Sequence, residues 1–200
     1  MVIVKLARTE PINPPSAEPP LTIDQVFKGL VRKCYKPQEF VPLLEGCDIL
    51  NEQKNGLTRM LTFKQGWGPP SEKAEEFITW LEPLRVSFTF AFDQIICFFG
   101  GVPKQASCPC YMLYSYECVT EQVDFHIPAS GEKVSNIISA DTHDPQALYM
   151  TFTLEWPHPQ IEAGSKEEQE KYEMCDGVCK QIISTTIVTI REMVKMGTIV

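Results

Sequence analysis

The sequence predicts an α+β fold: a curved antiparallel β-sheet wrapped around a long C-terminal α-helix, with two short helices after the first strand. Three observations predict it. From Ser165 to Gly197 the chain carries helix signals at both ends and an apolar stripe between them. From residue 47 to residue 156, short segments alternate in polarity and are separated by turn residues. Only two helix-like stretches precede those segments, and both end before residue 45.

Val2–Ala7 is a short apolar strand candidate, followed by an extended Pro-rich connector over Glu10–Pro20. Thr22 and Gln25 form a capping box, in which hydroxyl and amide each satisfy a free backbone N–H. The helix they open has Val26, Phe27, Leu30 and Val31 on one face. Pro37 and Pro42 bracket a short helical turn with Phe40, Val41 and Leu44. Strands are expected at Cys47–Glu52 and Leu57–Lys64, joined through Asn55-Gly56, a strong hairpin turn. A Gly-Trp-Gly-Pro-Pro loop at 66–70 leads to a strand at about 73–81. Further strands follow at Val123–Ile127, Lys133–Ser139 and Ala147–Trp156, the last with Leu148, Met150, Phe152, Leu154 and Trp156 on one face.

Ser165 and Glu168 make a second capping box, acidic residues fill the first turns, and Gly197 supplies the left-handed stop. The stripe is expected to run through Val178, Ile182, Ile183, Thr186, Ile187, Ile190, Met193 and Val194. Its β-branched residues have modest helix propensity, so burial must hold this helix. Hairpins curl into a sheet with one apolar face, and the last helix is its natural lid. This is a helix-grip arrangement, and the cavity it leaves suits a small molecule.

Two hundred residues suit one domain. A net charge of −8 with scattered Lys and Arg argues against a nucleic-acid partner. No apolar run reaches membrane-spanning length, and Met1–Arg8 lacks the basic-then-apolar order of a secretory signal, so a cytoplasmic protein is expected. Eight cysteines show no paired CxxC spacing. Cys175 and Cys179 share a helix face, where buried thiols are favoured over half a metal site. No metal and no cofactor are expected, and no nucleophile, phosphate-loop or dinucleotide motif is present.

Pro11-Ile-Asn-Pro-Pro15, Leu21-Thr-x-x-Gln25-Val26, Phe40-Val41, Asn136-Ile-Ile-Ser139, Leu148-Tyr-Met-Thr151, Glu155-Trp-Pro-His-Pro159 and Ala163-Gly-Ser165 together resemble the AtaL-like family. That family belongs to the superfamily of START and birch-pollen-allergen-like proteins (SRPBCC). The resemblance implies a helix-grip fold and, in fungi, residence in secondary-metabolite gene clusters. It implies no particular reaction, because fold does not fix function.

The ligand-binding candidates are Arg59, Asn136, Met150, Phe152, Ile182 and Thr186; no catalytic residue is assigned. Arg59 shares its face with Leu57, Leu61 and Phe63. A guanidinium there wants either a ligand oxygen, a strand acid such as Glu75 or Glu76, or the rim. Asn136 either steers a ligand carbonyl or is a satisfied strand amide, and Thr186 either faces the cavity or bonds its own preceding turn. His126 is expected on the outer face, and His158, between two prolines, in solvent. Three function classes fit. The first is a protein that binds a hydrophobic intermediate and assists fungal secondary-metabolite (toxin, polyketide or peptide-derived) biosynthesis. The second is a cyclase, isomerase or pericyclase working by orientation in the same pocket. The third is a non-enzymatic protein-interaction module. Oligomeric state is not legible.

Residues 86–122 interrupt this pattern. They hold four of the eight cysteines and five of the eleven phenylalanines, but only Asp93, Lys104, Glu117 and Glu121 as charges. The resemblance implies that Thr79–Arg85 runs straight into Val123–Lys133. One reading is a lid or an extra hairpin; the other is a retained intron translated in frame. Val86-Ser87 can be encoded by GTGAGT, a splice donor, and Gln122 by CAG, a splice acceptor, thirty-seven codons in all.

Overall fold

The computed structural model describes residues 1–65, 71–90, 114–141, 143–144 and 146–200, with backbone alone at 81–90 and 114–120. The 66–70 loop and the centre of the 86–122 interruption lie outside the described residues. Strands β1 (Val2–Pro11), β2 (Leu44–Gln53), β3 (Gly56–Phe63), β4 (Lys73–Phe90), β5 (Tyr114–Ile127), β6 (Glu132–Ala140) and β7 (Leu148–His158) form a single antiparallel sheet. Its order is β1-β7-β6-β5-β4-β3-β2, so β2 to β7 meander and β1 closes the far edge beside β7. Helix α1 (Ile23–Tyr35), a 3-10 turn at Pro37–Glu39, and α2 (Lys166–Lys195) complete the fold. This is the helix-grip arrangement expected.

Local signals act where they were read. Thr22 Oγ1 accepts from Gln25 N at 3.2 Å, and Gln25 Oε1 accepts from Thr22 N at 3.0 Å. Ser165 Oγ accepts from Glu168 N at 3.2 Å, but the Glu168 carboxylate reaches one residue further back than expected, to Gly164 N at 2.6 Å. Gly197, at φ 68°, ends α2 with the paired bonds Thr198 N to Met193 O and Gly197 N to Val194 O, which satisfy last-turn carbonyls.

The two helices share the task of covering the sheet. Over thirty residues α2 extends about 45 Å, resting on β1 and β7, while α1 rests on β5 and β6. They meet at Gly29, where a Cβ would lie 2.5 Å from the Ile190 side chain. Tyr172 donates to Ile3 O at 3.1 Å, tying the first half of α2 to the sheet edge. The stripe that α2 buries runs Cys175, Cys179, Ile183, Thr186, Ile187, Ile190 and Met193. The expected phase was therefore off at one margin: Val178 is 40% exposed and Ile182 half-buried. Periodicity marked a wide band, and the close approach at Gly29 decided which edge turns inward. Arg191, in the last turns of α2, is buried and donates to the carbonyls of Ile12 and Pro19, pinning the Pro-rich connector.

The β4–β5 ladder bears on residues 86–122. It pairs Trp80 with Val123 and Leu81 with Gln122, then shifts register between Leu81 and Leu84. Glu121, opposite Ile138, is buried with no partner for Oε2 among the described residues, and burial together with nearby Asp24 pushes its carboxyl up to about 7. Joining Arg85 to Val123 would put Arg85 in the outward position of Gln122 and Leu84 in the inward position of Glu121. A leucine then replaces a buried carboxyl, and Glu82-Pro83 falls at the hairpin end. The shortened chain is expected to fold and to melt no lower than the full chain. Thermal unfolding of both, beside the mature transcript, is the check. A shortened chain that fails to fold, or native protein carrying a peptide from 86–122, would leave the insertion reading in place.

Candidate functional site

The inner face of the sheet is set by alternation. It carries Leu57, Arg59 and Leu61 on β3, Ala74, Glu76 and Ile78 on β4, and Glu121, Val123 and Phe125 on β5. On β6 it carries Glu132, Val134, Asn136 and Ile138, and on β7 the even-numbered residues from Leu148 to His158. Apolar groups dominate; the polar exceptions define what the interior can bind.

Arg59 lies at the C-terminal end of α1. Its Nε and Nη2 donate to Glu76 Oε2 at 2.7 and 2.6 Å, and Nη1 donates to Lys33 O at 2.9 Å and to Cys34 O. Its guanidinium carbon also sits 5.6 Å from the centroid of Phe125. Arg59 thus joins two neighbouring strands to the last-turn carbonyls of a helix, which have no partner inside that helix. Of the alternatives open in the sequence, this geometry matches the pairing with Glu76. Lys33 itself is buried and donates to Thr186 Oγ1 at 3.0 Å, so Thr186 serves another helix rather than its own preceding turn. Burial pushes the Lys33 ammonium down to about 8.

Asn136 differs from the satisfied amide that a mid-sheet asparagine usually is. It has no solvent exposure, and neither Oδ1 nor Nδ2 has a partner among the described residues. Its neighbours across the ladder are Phe152 and Val123, and Met150 lies opposite Ile138. Asn136, Met150 and Phe152 are thereby brought together at the sheet centre, while Arg59 and Thr186 belong to the polar seam beneath α1.

A cavity of about 110 Å³ opens between β6, β7 and the first half of α2. Glu132, Val134, Phe152, Trp156, Cys179 and Ile182 are among its lining residues, so Phe152 and Ile182 are the two predicted candidates that reach it. It is small beside ligand pockets of roughly 300 Å³ or more. Exposed Met174 and Val178 form its outer lip.

Sequence reasoning missed three groups here. Glu132 opens β6 and faces the cavity, and burial pushes its carboxyl up to about 7. His158 was expected in solvent but is buried, with its ring 4.5 Å from that of Trp156 and no partner for Nε2 among the described residues. The reason is that β7 runs on through Pro157, since β1 pairs with it as far as Val2 opposite His158. Burial holds the His158 imidazole below its ordinary value, with Lys171 adding to the effect. Lys171 Nζ stands 4.2 Å from the Trp156 centroid, a cation–π distance. The signal for His158 was its parity with Phe152 and Trp156, outweighed by the two flanking prolines. Cys175 and Cys179 are buried thiols, the latter pushed up to about 11 by burial, so they pack rather than react. Among the described residues no three His, Cys, Asp or Glu side chains gather as a metal site, and no helix is long and apolar enough to cross a membrane.

The chain matches the profile of a family described as AtaL, acetylaranotin biosynthesis cluster protein L, over residues 6–123 and 119–197. No curated protein matches it. Among solved structures, the di-domain aromatase/cyclase StfQ from the steffimycin biosynthetic pathway is similar in fold, with TM-score 0.53 and 7% identity. That match covers 98% of this chain and 52% of StfQ, so this chain spans about half the length of that protein. The Zhui aromatase/cyclase from a Streptomyces species aligns with TM-score 0.46 and 12% identity, over 96% of this chain and 93% of that one. At such identities the likeness is one of fold.

Proposed function

Given that this chain belongs to the family of AtaL, the acetylaranotin biosynthesis cluster protein L, we propose that it binds a hydrophobic small-molecule intermediate between the sheet and α2. In doing so it assists secondary-metabolite biosynthesis. The observation that carries this reading is Asn136. An amide with no exposure and neither polar atom paired among the described residues is costly in a mere packing role. A ligand carbonyl would accept from Nδ2 and a ligand hydroxyl would donate to Oδ1, so an apolar ligand bearing both would satisfy the amide. The ligand class that fits the apolar walls is a polyketide- or peptide-derived ring system, entering past Met174, Val178 and Ile182 as the cavity widens.

The narrowness of that cavity favours one second reading, a non-enzymatic module whose partner is another protein. Native mass spectrometry of protein isolated from its own cells separates the two. A bound small molecule, together with a changed metabolite profile in a deletion strain, is expected; protein that is empty in a strain of unchanged profile refutes the ligand reading. Asn136→Leu sharpens the test. It is expected to weaken binding of the recovered molecule by about tenfold, a hydrogen bond's worth, while leaving the melting temperature unchanged or raised. Unchanged affinity would remove Asn136 from the site.

A further inference from the structure

We propose, resting on the sheet–helix cavity as the binding site, that Glu132 is a general base within it, taking a proton from the carbon beside a ketone on a small apolar ring and returning it. In this step the C–H bond breaks and its electron pair forms a carbon–carbon double bond as the carbonyl π pair moves onto oxygen. The proton resides on the Glu132 carboxylate. Return to the same carbon exchanges it; return to the far end of a conjugated system shifts a double bond. No oxidant, reductant or co-reactant is needed.

Three observations place the group. Glu132 lies on the same face as Val134 and Asn136, and the register that pairs Lys133 with Glu155 sets it against Trp156. Apart from Glu132 the cavity is lined by Val134, Phe152, Leu154, Trp156, Val178, Ile182 and sulfur-bearing side chains, so a reacting carbon would lie against apolar walls. Its backbone N–H donates to Ser130 Oγ at 3.3 Å, fixing the strand start, while no described side chain pairs with its carboxylate. The charged and titratable groups around it are Glu76 on β4 and Lys171, Cys175 and Cys179 on α2, with His158 further along β7 beside Trp156. Burial and Glu76 raise the carboxyl and Lys171 opposes them, leaving it near 7, where a base balances strength against ionisation at neutral pH. Lys171, held over the ring of Trp156 that lines the cavity, adds positive charge beside it.

The test uses 2-tetralone as probe. Binding is followed by ligand-observed NMR and deuterium incorporation at its α carbon in D₂O by proton NMR. Wild-type protein is expected to bind the probe and to accelerate exchange, with a rate that rises as pH climbs through about 7. Glu132→Gln, similar in shape and uncharged, is expected to bind equally well and lose about a hundredfold of the rate. A probe that binds without accelerated exchange, or a Gln variant as fast as wild type, overturns the base while leaving the pocket reading intact. A probe that does not bind overturns both. Because any variant can misfold, the carboxyl of Glu132 is also titrated by carbon NMR in wild-type protein: a midpoint near 7 supports the proposal, and an ordinary glutamate value of about 4.3 ends it.

Discussion

Glu76→Ala is expected to lower the stability of this protein by about 3–5 kcal/mol, the cost of stranding one partner of a buried ion pair. Glu76 and Arg59 are both nearly inaccessible, with side-chain exposures of 9% and 4%. Removing the carboxylate leaves the guanidinium without a counter-charge among the described residues, held by the carbonyls of Lys33 and Cys34. For a chain of this length the loss corresponds to a fall in melting temperature on the order of 10 °C. Arg59→Met should cost a comparable amount, since it strands Glu76 and uncovers the last-turn carbonyls of α1. Replacing both, as Arg59→Met with Glu76→Leu, should be far milder than the sum of the two single changes, because no unpaired charge remains. Denaturant unfolding of the four proteins measures the coupling. Additive losses would mean that the pair is solvated and that Arg59 is available to a ligand after all.

Ile183→Asp is expected to be the most damaging single change on α2, at about 4 kcal/mol or more. Ile183 has no solvent exposure and belongs to the core, so a carboxylate there has neither water nor a partner. Ile182→Asp is the control. Ile182 is half-buried at the cavity edge, and a carboxylate there can turn toward water, at well under half that cost. Ligand binding should respond in the opposite order, with Ile182→Asp impairing it in protein that is still folded. Thermal melts of the two variants decide the helix phase. Equal destabilisation, or a larger effect at Ile182, would mean that α2 is rotated by about one residue from the orientation described here.

The sequence alone determined what depends on a few neighbouring residues. A capping box needs only four positions, so Thr22–Gln25 and the Ser165 cap were legible, as were the hairpin at Asn55-Gly56 and the stop at Gly197. Period-two alternation identified the inner face of β3, β6 and β7, and with it Asn136, Met150 and Phe152. What the sequence could not supply is everything fixed by contact between distant segments. Lys33 meets Thr186 across 153 positions and Tyr172 meets Ile3 across 169, and no local pattern encodes such pairs. The phase of α2 followed from the close approach of Gly29 to Ile190, because a β-branched helix shows a broad apolar band that several rotations could bury. Arg59 illustrates the division most sharply: alternation showed that it faces inward, but only the meeting of β3, β4 and the end of α1 gave its charge a partner. Glu132 came to the cavity, and His158 to the interior beside Trp156, for the same reason. Each sits at a strand end, where pairing with the next strand, rather than its own flanking residues, decides whether it meets water.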